Sequence, residues 1–447
     1  MAKPRAIGID YGTSNTVAAA LDAEGNARVL ELEAGTTASD PRILKSLLYF
    51  PERNKSYFGR AAIDMYFDLG MEGRFLQSVK RLLPNPDFTG TSLFGRHAGV
   101  EDLVARFLQE LRARIEREID GPIAGIPIVF GRPARYSQDP AREGLAVVRF
   151  KRAIELAGFD LNLVTLVEEP VAAMLSGQRA DSVRTGPSVL RNGDEGPITL
   201  IADLGGGTSD FTLFRRVSTK KQPQGIHTFA VHGVSVAGDA LDSDFFVAKL
   251  QDLFGASIRY QRPFSSNVLT MPTLLVKHLP KWHHHAFLRE RATWNFILVL
   301  RKELVDETQK PLLENLITLV EENLGYRLHV AVEDLKLKLS SEPATDFAFK
   351  SYPIDLGFGV TRPAFDTIIS PSVDAIRDTA LETCRIGKVD PSEVERIQFT
   401  GGTSKVPAIR EAIEKAFPNA KPVDQDTFTA VAEGLALYGA ARAEAGA

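Results

Sequence analysis

Near the start of the chain, short apolar runs alternate with turn residues. Residues 6–9 are apolar and end at Asp10, and the next five, Tyr11-Gly12-Thr13-Ser14-Asn15, are rich in turn formers. A second apolar run covers 16–22, and Glu24-Gly25-Asn26 leads as a hairpin turn into a third over 27–32. This pattern predicts three consecutive strands. Leu103, Phe107, Leu111 and Ile115 recur every four residues, which predicts an amphipathic helix ended by Gly121-Pro122. Residues 127–131 then read as a buried strand. Residues 141–157 read as a helix stopped by Gly158, 163–167 as another strand, and 170–175 as a helix start. Strands first, then alternating helices and strands, imply an α/β domain around a mixed sheet.

Residues 178–197 are polar and punctuated by Gly and Pro, the pattern of an exposed crossover. After them the opening theme returns. A strand over 198–202 ends at Asp203, and Leu204-Gly205-Gly206-Gly207-Thr208-Ser209-Asp210 forms the turn before a strand over 211–214. Both copies read strand, Asp, bulky residue, glycine, Thr, Ser. A repeated phosphate-type hairpin predicts a duplicated domain closing on one ligand. Residues 238–340 are mostly helical in pattern. Residues 362–423 read helix, strand, Gly-Gly turn, helix, and a small-residue helix follows Ala430.

Composition narrows the class. The 447 residues are 44% hydrophobic and 25% charged, which is globular and implies more than one domain. A formal net charge of −4 argues against a nucleic-acid partner. Cys384 is the one cysteine, so no disulfide framework or cysteine metal site is available. The N-terminus carries no signal-peptide pattern, and the apolar run 296–300 is too short to span a bilayer. Asn54-Lys55-Ser56 fits a glycosylation sequon only by accident on this reading. The expectation is a cytoplasmic protein without a membrane partner, and a monomer.

The doubled hairpin carries the chemistry. Phosphates need close backbone N–H donors, which glycine permits, and hydroxyls from Thr or Ser. Asp10 and Asp203, each at a strand end, would hold a Mg2+ ion through water, while Thr13 and Thr208 donate to phosphate oxygens. A second candidate is Thr400-Gly401-Gly402-Thr403-Ser404-Lys405, where a strand runs through two glycines into a helix with Val406, Ile409, Ile413 and Phe417 on its apolar face. Read alone, it fits an ordinary strand-to-helix turn as well as a nucleotide platform. Val167-Glu168-Glu169-Pro170 fits a helix-dipole role as well as a functional one. The Lys80-Arg81 pair alone would read as a solvated face. Adjacent His283, His284 and His285 point in different directions on a helix and are not expected to form a metal site.

Taken together, these motifs resemble the actin, sugar-kinase and heat-shock ATPase superfamily, and within it the nucleotide-binding domain of the 70-kDa heat-shock chaperones of DnaK type. The matching segments, in order, are 8–15, 79–82, 167–173, 203–210 and 400–407. Weaker matches are Pro133-Ala134-Arg135-Tyr136, the stretch 237–242 and the stretch 336–341. The length is most similar to the short YegD-type chaperone-like proteins. The resemblance implies a duplicated, ribonuclease H-like α/β fold with two lobes around a nucleotide cleft. The first lobe would cover 1–195, with 37–120 as its smaller subdomain. The second would cover 196–447, with an enlarged helical subdomain at 233–365 and a last helix at 432–447 packing back at the hinge.

The resemblance also implies roles. Lys80, Glu169, Asp203 and Asp10 would be the catalytic set, with Asp10 and Asp203 as the Mg2+ carboxylates. Gly12, Thr13, Ser14, Asn15, Gly205, Gly206, Gly207 and Thr208 would bind the phosphates. Gly238, Asp239, Lys336, Ser340, Gly401, Gly402 and Ser404 would complete the nucleotide site, and Pro133 would act as a relay. The implied function is slow, Mg-dependent ATP hydrolysis by a chaperone-like conformational switch, with ATP or ADP as ligand and a protein client or co-chaperone meeting 239–365. An actin-like filament protein and a small-molecule kinase of the same superfamily are the alternatives. Departures from the family are Leu337 at the base-stacking Arg position and Phe428 at an Asp position. A chain ending soon after the last helix is also expected to lack the peptide-binding β-sandwich.

Overall fold

The structure is a computed structural model. It describes residues 3–36, 38, 40–70, 72–133, 135–137, 139–169, 171–172, 175–176, 195–217, 225–424 and 429–445. Most of the expected crossover, most of the helix after Glu169, and Phe428 lie outside these residues.

The chain divides into two compact units. The first holds Met1–Gly233, Thr379–Ser404 and Ala416–Ala447, and the second holds Val234–Asp378 and Lys405–Lys415. The first unit is built on two sheets. Along one sheet the strands run Val164–Glu168, Ile128–Arg132, Ala6–Tyr11, Asn15–Leu21 and Ala27–Val29, with Leu44–Lys45 also paired to Asn15–Leu21. Along the other they run Gly225–Val234, Ser209–Val217, Glu195–Leu204, Arg396–Thr400 and Lys421–Asp424. Numbered by appearance within each half, both sheets have the order 3-2-1-4-5. In both, the first strand is antiparallel to the second and parallel to the fourth. The duplication expected from the hairpins therefore extends to whole sheets.

Local sequence accounts for the elements. Ala6, Ile7 and Ile9 are fully buried, which is why that strand is apolar up to Asp10 and not alternating. The helix Val100–Glu118 buries Leu103, Phe107, Leu111 and Ile115 as its spacing predicts, and Asp102 Oδ2 caps it by accepting from Gly99 N at 2.9 Å. The helix Pro140–Leu156 starts on Asp139, whose Oδ1 accepts from Ala141 N at 2.8 Å. It stops where Gly158 takes φ +83°.

The last helix, Ala430–Ala445, is rich in small residues for a packing reason. A Cβ at Gly8 would lie 2.2 Å from Ala432 O, so strand and helix backbones nearly touch. Ala432, Ala436 and Ala440 pack against Val17, Ala19 and Leu21 of the first sheet, while Val431 joins Ile201 and Phe214 of the second. One helix thus seals both sheets of this unit.

The second unit is mainly helical. Gly238–Lys249, Lys310–Glu321, Gly325–Ser341 and the larger part of Arg362–Gly387 are its longer helices, beside the hairpin of Ala344–Ser351 and Ile354–Thr361. Among the described residues no helix is long and apolar enough to cross a membrane.

Candidate active site

The two hairpins are built alike. In the first, Gly12 N donates to Asn15 O at 3.0 Å and closes a turn with Thr13 and Ser14 at its tip. In the second, Gly205 N donates to Thr208 O at 3.0 Å, with Gly206 and Gly207 at the tip. A hydroxyl pins each turn from outside. Ser46 Oγ donates to Gly12 O at 2.8 Å, and Thr403 Oγ1 donates to Gly205 O at 2.7 Å. Strand register pairs Asp10 with Val17 and Asp203 with Asp210. This corrects the motif alignment. Thr13 corresponds to Gly206, and Thr208 corresponds to Asn15, so the two threonines stand at different places in their turns. A match of letters allowed a shift that the hydrogen bonds do not.

Lys80 is placed by a short, tight segment. Ser78 adopts φ 57°, and the 3-10 turn Val79–Leu82 follows, anchored by buried Val79 and Leu83. The Lys80 side chain is only 7% exposed. Its Nζ donates to Glu169 Oε1 at 3.0 Å and lies 5.7 Å from the centre of the Tyr11 ring. Burial alone would push this ammonium down, but the charges of Glu169 and Asp10 outweigh it and hold its pKa above the ordinary value.

Around Lys80 the carboxylates are crowded. Burial, the Glu169 charge and the Asp203 charge together raise Asp10 well above the ordinary range, with Lys80 opposing. Asp203 is pushed up to about 7 by burial and by Glu169 and Asp210, against its hydrogen bond from Thr400 and the charge of Lys80. Thr400 Oγ1 donates to Asp203 Oδ1 at 3.0 Å. Burial likewise raises Asp210 to about 6. Glu169, Asp203, Asp210, Thr400, Pro133 and Arg135 line one cleft within the first unit. So Asp10, Lys80, Glu169 and Asp203, distant in sequence, form one electrostatic group. Asp210 and Thr400 belong to it as well, and the sequence signals them only as members of the segments 203–210 and 400–407.

A buried excess of carboxylate over ammonium calls for a cation. Among the described residues no three His, Cys, Asp or Glu side chains are set to ligate one ion directly. Carboxylate oxygens such as those of Asp10 and Asp203 are the donors that Mg2+ takes, often through water.

Gly401 and Ser404 shape the neighbouring turn. Gly401 has φ +79°, and a Cβ there would lie 2.2 Å from Leu204 O. Only glycine lets this turn lie against the second hairpin's strand. Ser404 Oγ donates to Gly401 O at 2.6 Å, and Gly402 opens a 3-10 turn ahead of the helix Pro407–Ala416.

Gly238, Asp239, Lys336 and Ser340 lie in the second unit. Lys336 Nζ donates to Asp242 Oδ2 at 2.7 Å and to Gly238 O at 3.2 Å, and Ser340 Oγ donates to Lys336 O at 2.9 Å. Burial and the Asp242 charge raise Asp239, with Lys336 opposing. Asp242, a further residue not selected from the sequence, is thus the anchor of Lys336. Leu337 is 59% exposed. In the histidine run, His284 Nδ1 meets His278 Nδ1 at 3.2 Å, while His285 Nε2 meets Leu279 O at 2.9 Å.

Residues 298–444 match the family model described as Hsp70 protein. The chain is 26% identical over 444 residues to the chaperone protein DnaK of Picrophilus torridus, covering 97% of this chain and 57% of that protein. It is 24% identical to the DnaK of Thermoplasma volcanium, covering 97% and 58%. It is 25% identical to the chaperone protein HscA homolog of Methylibium petroleiphilum, covering 97% and 57%. The chain therefore spans under three-fifths of the length of these relatives. With the doubled α/β architecture of the first unit, these likenesses support a nucleotide-binding domain of the 70-kDa heat-shock chaperone type, with the actin-like ATPase fold.

Proposed function

We propose that this chain binds ATP and hydrolyses it slowly with Mg2+, acting as a nucleotide-driven switch of the chaperone type. The observation that carries the reading is the buried Lys80–Glu169 pair set among Asp10, Asp203 and the two hairpins. The relatives named as DnaK and HscA chaperones support the same class.

Each side chain then has a task. The tip amides of the hairpins, at Thr13, Ser14, Gly206 and Gly207, offer donors to phosphate oxygens, helped by the Thr13, Ser14 and Thr208 hydroxyls. Asp10 and Asp203 would hold a Mg2+ ion through its waters. When bound, that ion supplies neutralising charge at the phosphates. Glu169 accepts from Lys80 and from the attacking water. Lys80 steadies this water and the charge that develops on the γ-phosphoryl group. The water oxygen bonds to the γ-phosphorus as the bond to the bridging oxygen breaks, leaving ADP and inorganic phosphate. The protein's work is positioning and electrostatics. Gly401, Gly402 and Ser404, with Gly238, Asp239, Lys336 and Ser340, are assigned to the rest of the nucleotide.

The reading keeps two lobes, 1–195 and 196–447. In its support, the second sheet begins at Glu195, after every early strand of the first. It also assigns a protein client or co-chaperone to 239–365.

Calorimetry with ATP and ADP, with and without Mg2+, tests the proposal alongside phosphate release. Micromolar or tighter binding that weakens without Mg2+ is expected. Failure to bind either nucleotide would sink it.

A further inference from the structure

Next in the chain to two cleft residues, Pro133 and Arg135, stands a polar group that the proposed reaction does not use. The phenol oxygen of Tyr136 is buried and makes no hydrogen bond among the described residues. Its backbone is firmly held, because Tyr136 N and Ser137 N both donate to Glu143 Oε2, at 2.6 and 3.1 Å. Arg132 braces the same loop. It donates to Pro133 O at 3.2 Å, to Glu143 Oε1 at 3.3 Å and to Glu168 Oε1 at 2.8 Å. The ring packs against the core of the first sheet. Such a clamp leaves the hydroxyl little freedom to seek another partner.

Strand register brings the loop that carries this hydroxyl beside Glu169. Arg132 stands opposite Glu168, so the loop carrying Tyr136 and the residue Glu169 leave adjacent strands at the same level. Arg135 and Glu169 line the same cleft. Burial, then the Glu169 charge, raise the phenol well above its ordinary pKa, so it stays protonated and can donate. A buried hydroxyl without a partner costs stability, and folds rarely keep one unless something satisfies it in the working state.

We propose that Tyr136 is a positioning residue whose hydroxyl donates a hydrogen bond to the water held on the Lys80–Glu169 pair. It acts through that water and does not touch the nucleotide. The proposal rests on the ATPase reading and adds a donor to it.

The test is Tyr136→Phe in the full chain. Single-turnover ATP hydrolysis should fall about five- to tenfold, the effect of one lost hydrogen bond in the transition state. The dissociation constants for ATP and ADP should stay within about twofold. The melting temperature without nucleotide should hold or rise, since the substitution removes an unsatisfied group. Unchanged hydrolysis would overturn the assignment, and so would a parallel loss of binding and melting temperature, which marks a purely structural tyrosine. A wild-type chain that binds no nucleotide would overturn the ATPase reading as well.

Discussion

Lys80 Nζ lies 3.0 Å from Glu169 Oε1, although 89 positions separate the two residues. The pair is nearly closed to solvent, at 7% and 16% side-chain exposure. Removing one member leaves the other charge poorly compensated. Lys80→Ala is expected to lower ATP hydrolysis at least about 100-fold while ADP binding persists, and to cost about 1–3 kcal/mol of stability. Single-turnover assays and urea unfolding measure both. Turnover that survives the substitution would remove the role given to Lys80.

The crowded carboxylates make the nucleotide-free protein sensitive to pH. Asp203 sits at about 7 when folded, against an ordinary 3.8, chiefly through burial. The folded state therefore binds that proton more tightly than the unfolded state. The stabilisation is full below about pH 4 and is lost as pH rises through about 7. Asp210 behaves alike, with its loss complete near pH 6. In buffer without divalent ions, stability is expected to decline between roughly pH 4 and 7 and to level off above that. Asp203→Asn keeps the acceptor for Thr400 and should flatten that decline, gaining about 1–2 kcal/mol at pH 8. Equal slopes in the two proteins would contradict the assignment.

Gly401 is where the final motif meets the second hairpin. With φ +79° and Leu204 O only 2.2 Å from a would-be Cβ, Gly401→Ala combines backbone strain with a clash against backbone. It should destabilise the protein by about 2–4 kcal/mol. Denaturant unfolding checks this, and a loss under 0.5 kcal/mol would show that the turn is not held as described.

Lys336 is braced by Asp242 at 2.7 Å, so its ammonium is already placed before any ligand arrives. Lys336→Met should weaken ATP and ADP binding by about tenfold, with hydrolysis of bound ATP changed by less than about threefold. Calorimetry and single-turnover rates separate the two effects. A selective loss of hydrolysis would move Lys336 into the reaction itself.

Much of the fold could be read from local pattern. The helix with Leu103 and Phe107 and the strand ending at Asp10 follow from spacing alone, because burial of one face imposes a period. The register within the repeat could not be read this way. Thr13 and Thr208 share a letter context, yet Asn15 is the counterpart of Thr208 in its own turn, because backbone bonds count residues and motifs tolerate gaps. Asp210 and Thr400 went unselected for a related reason. Their importance comes from facing Asp203, one across a strand pair and one across 197 positions of chain.

By itself, the sequence determined that an Asp-and-glycine hairpin occurs twice on apolar strands, since turn chemistry and strand burial are local properties. Only the tertiary structure decided which charges meet. The shifted acidities of Asp10, Asp203 and Asp210, and the ion pair of Lys80 with Glu169, arise from burial and proximity between segments far apart in the chain. Neither quantity exists until the sheets have packed.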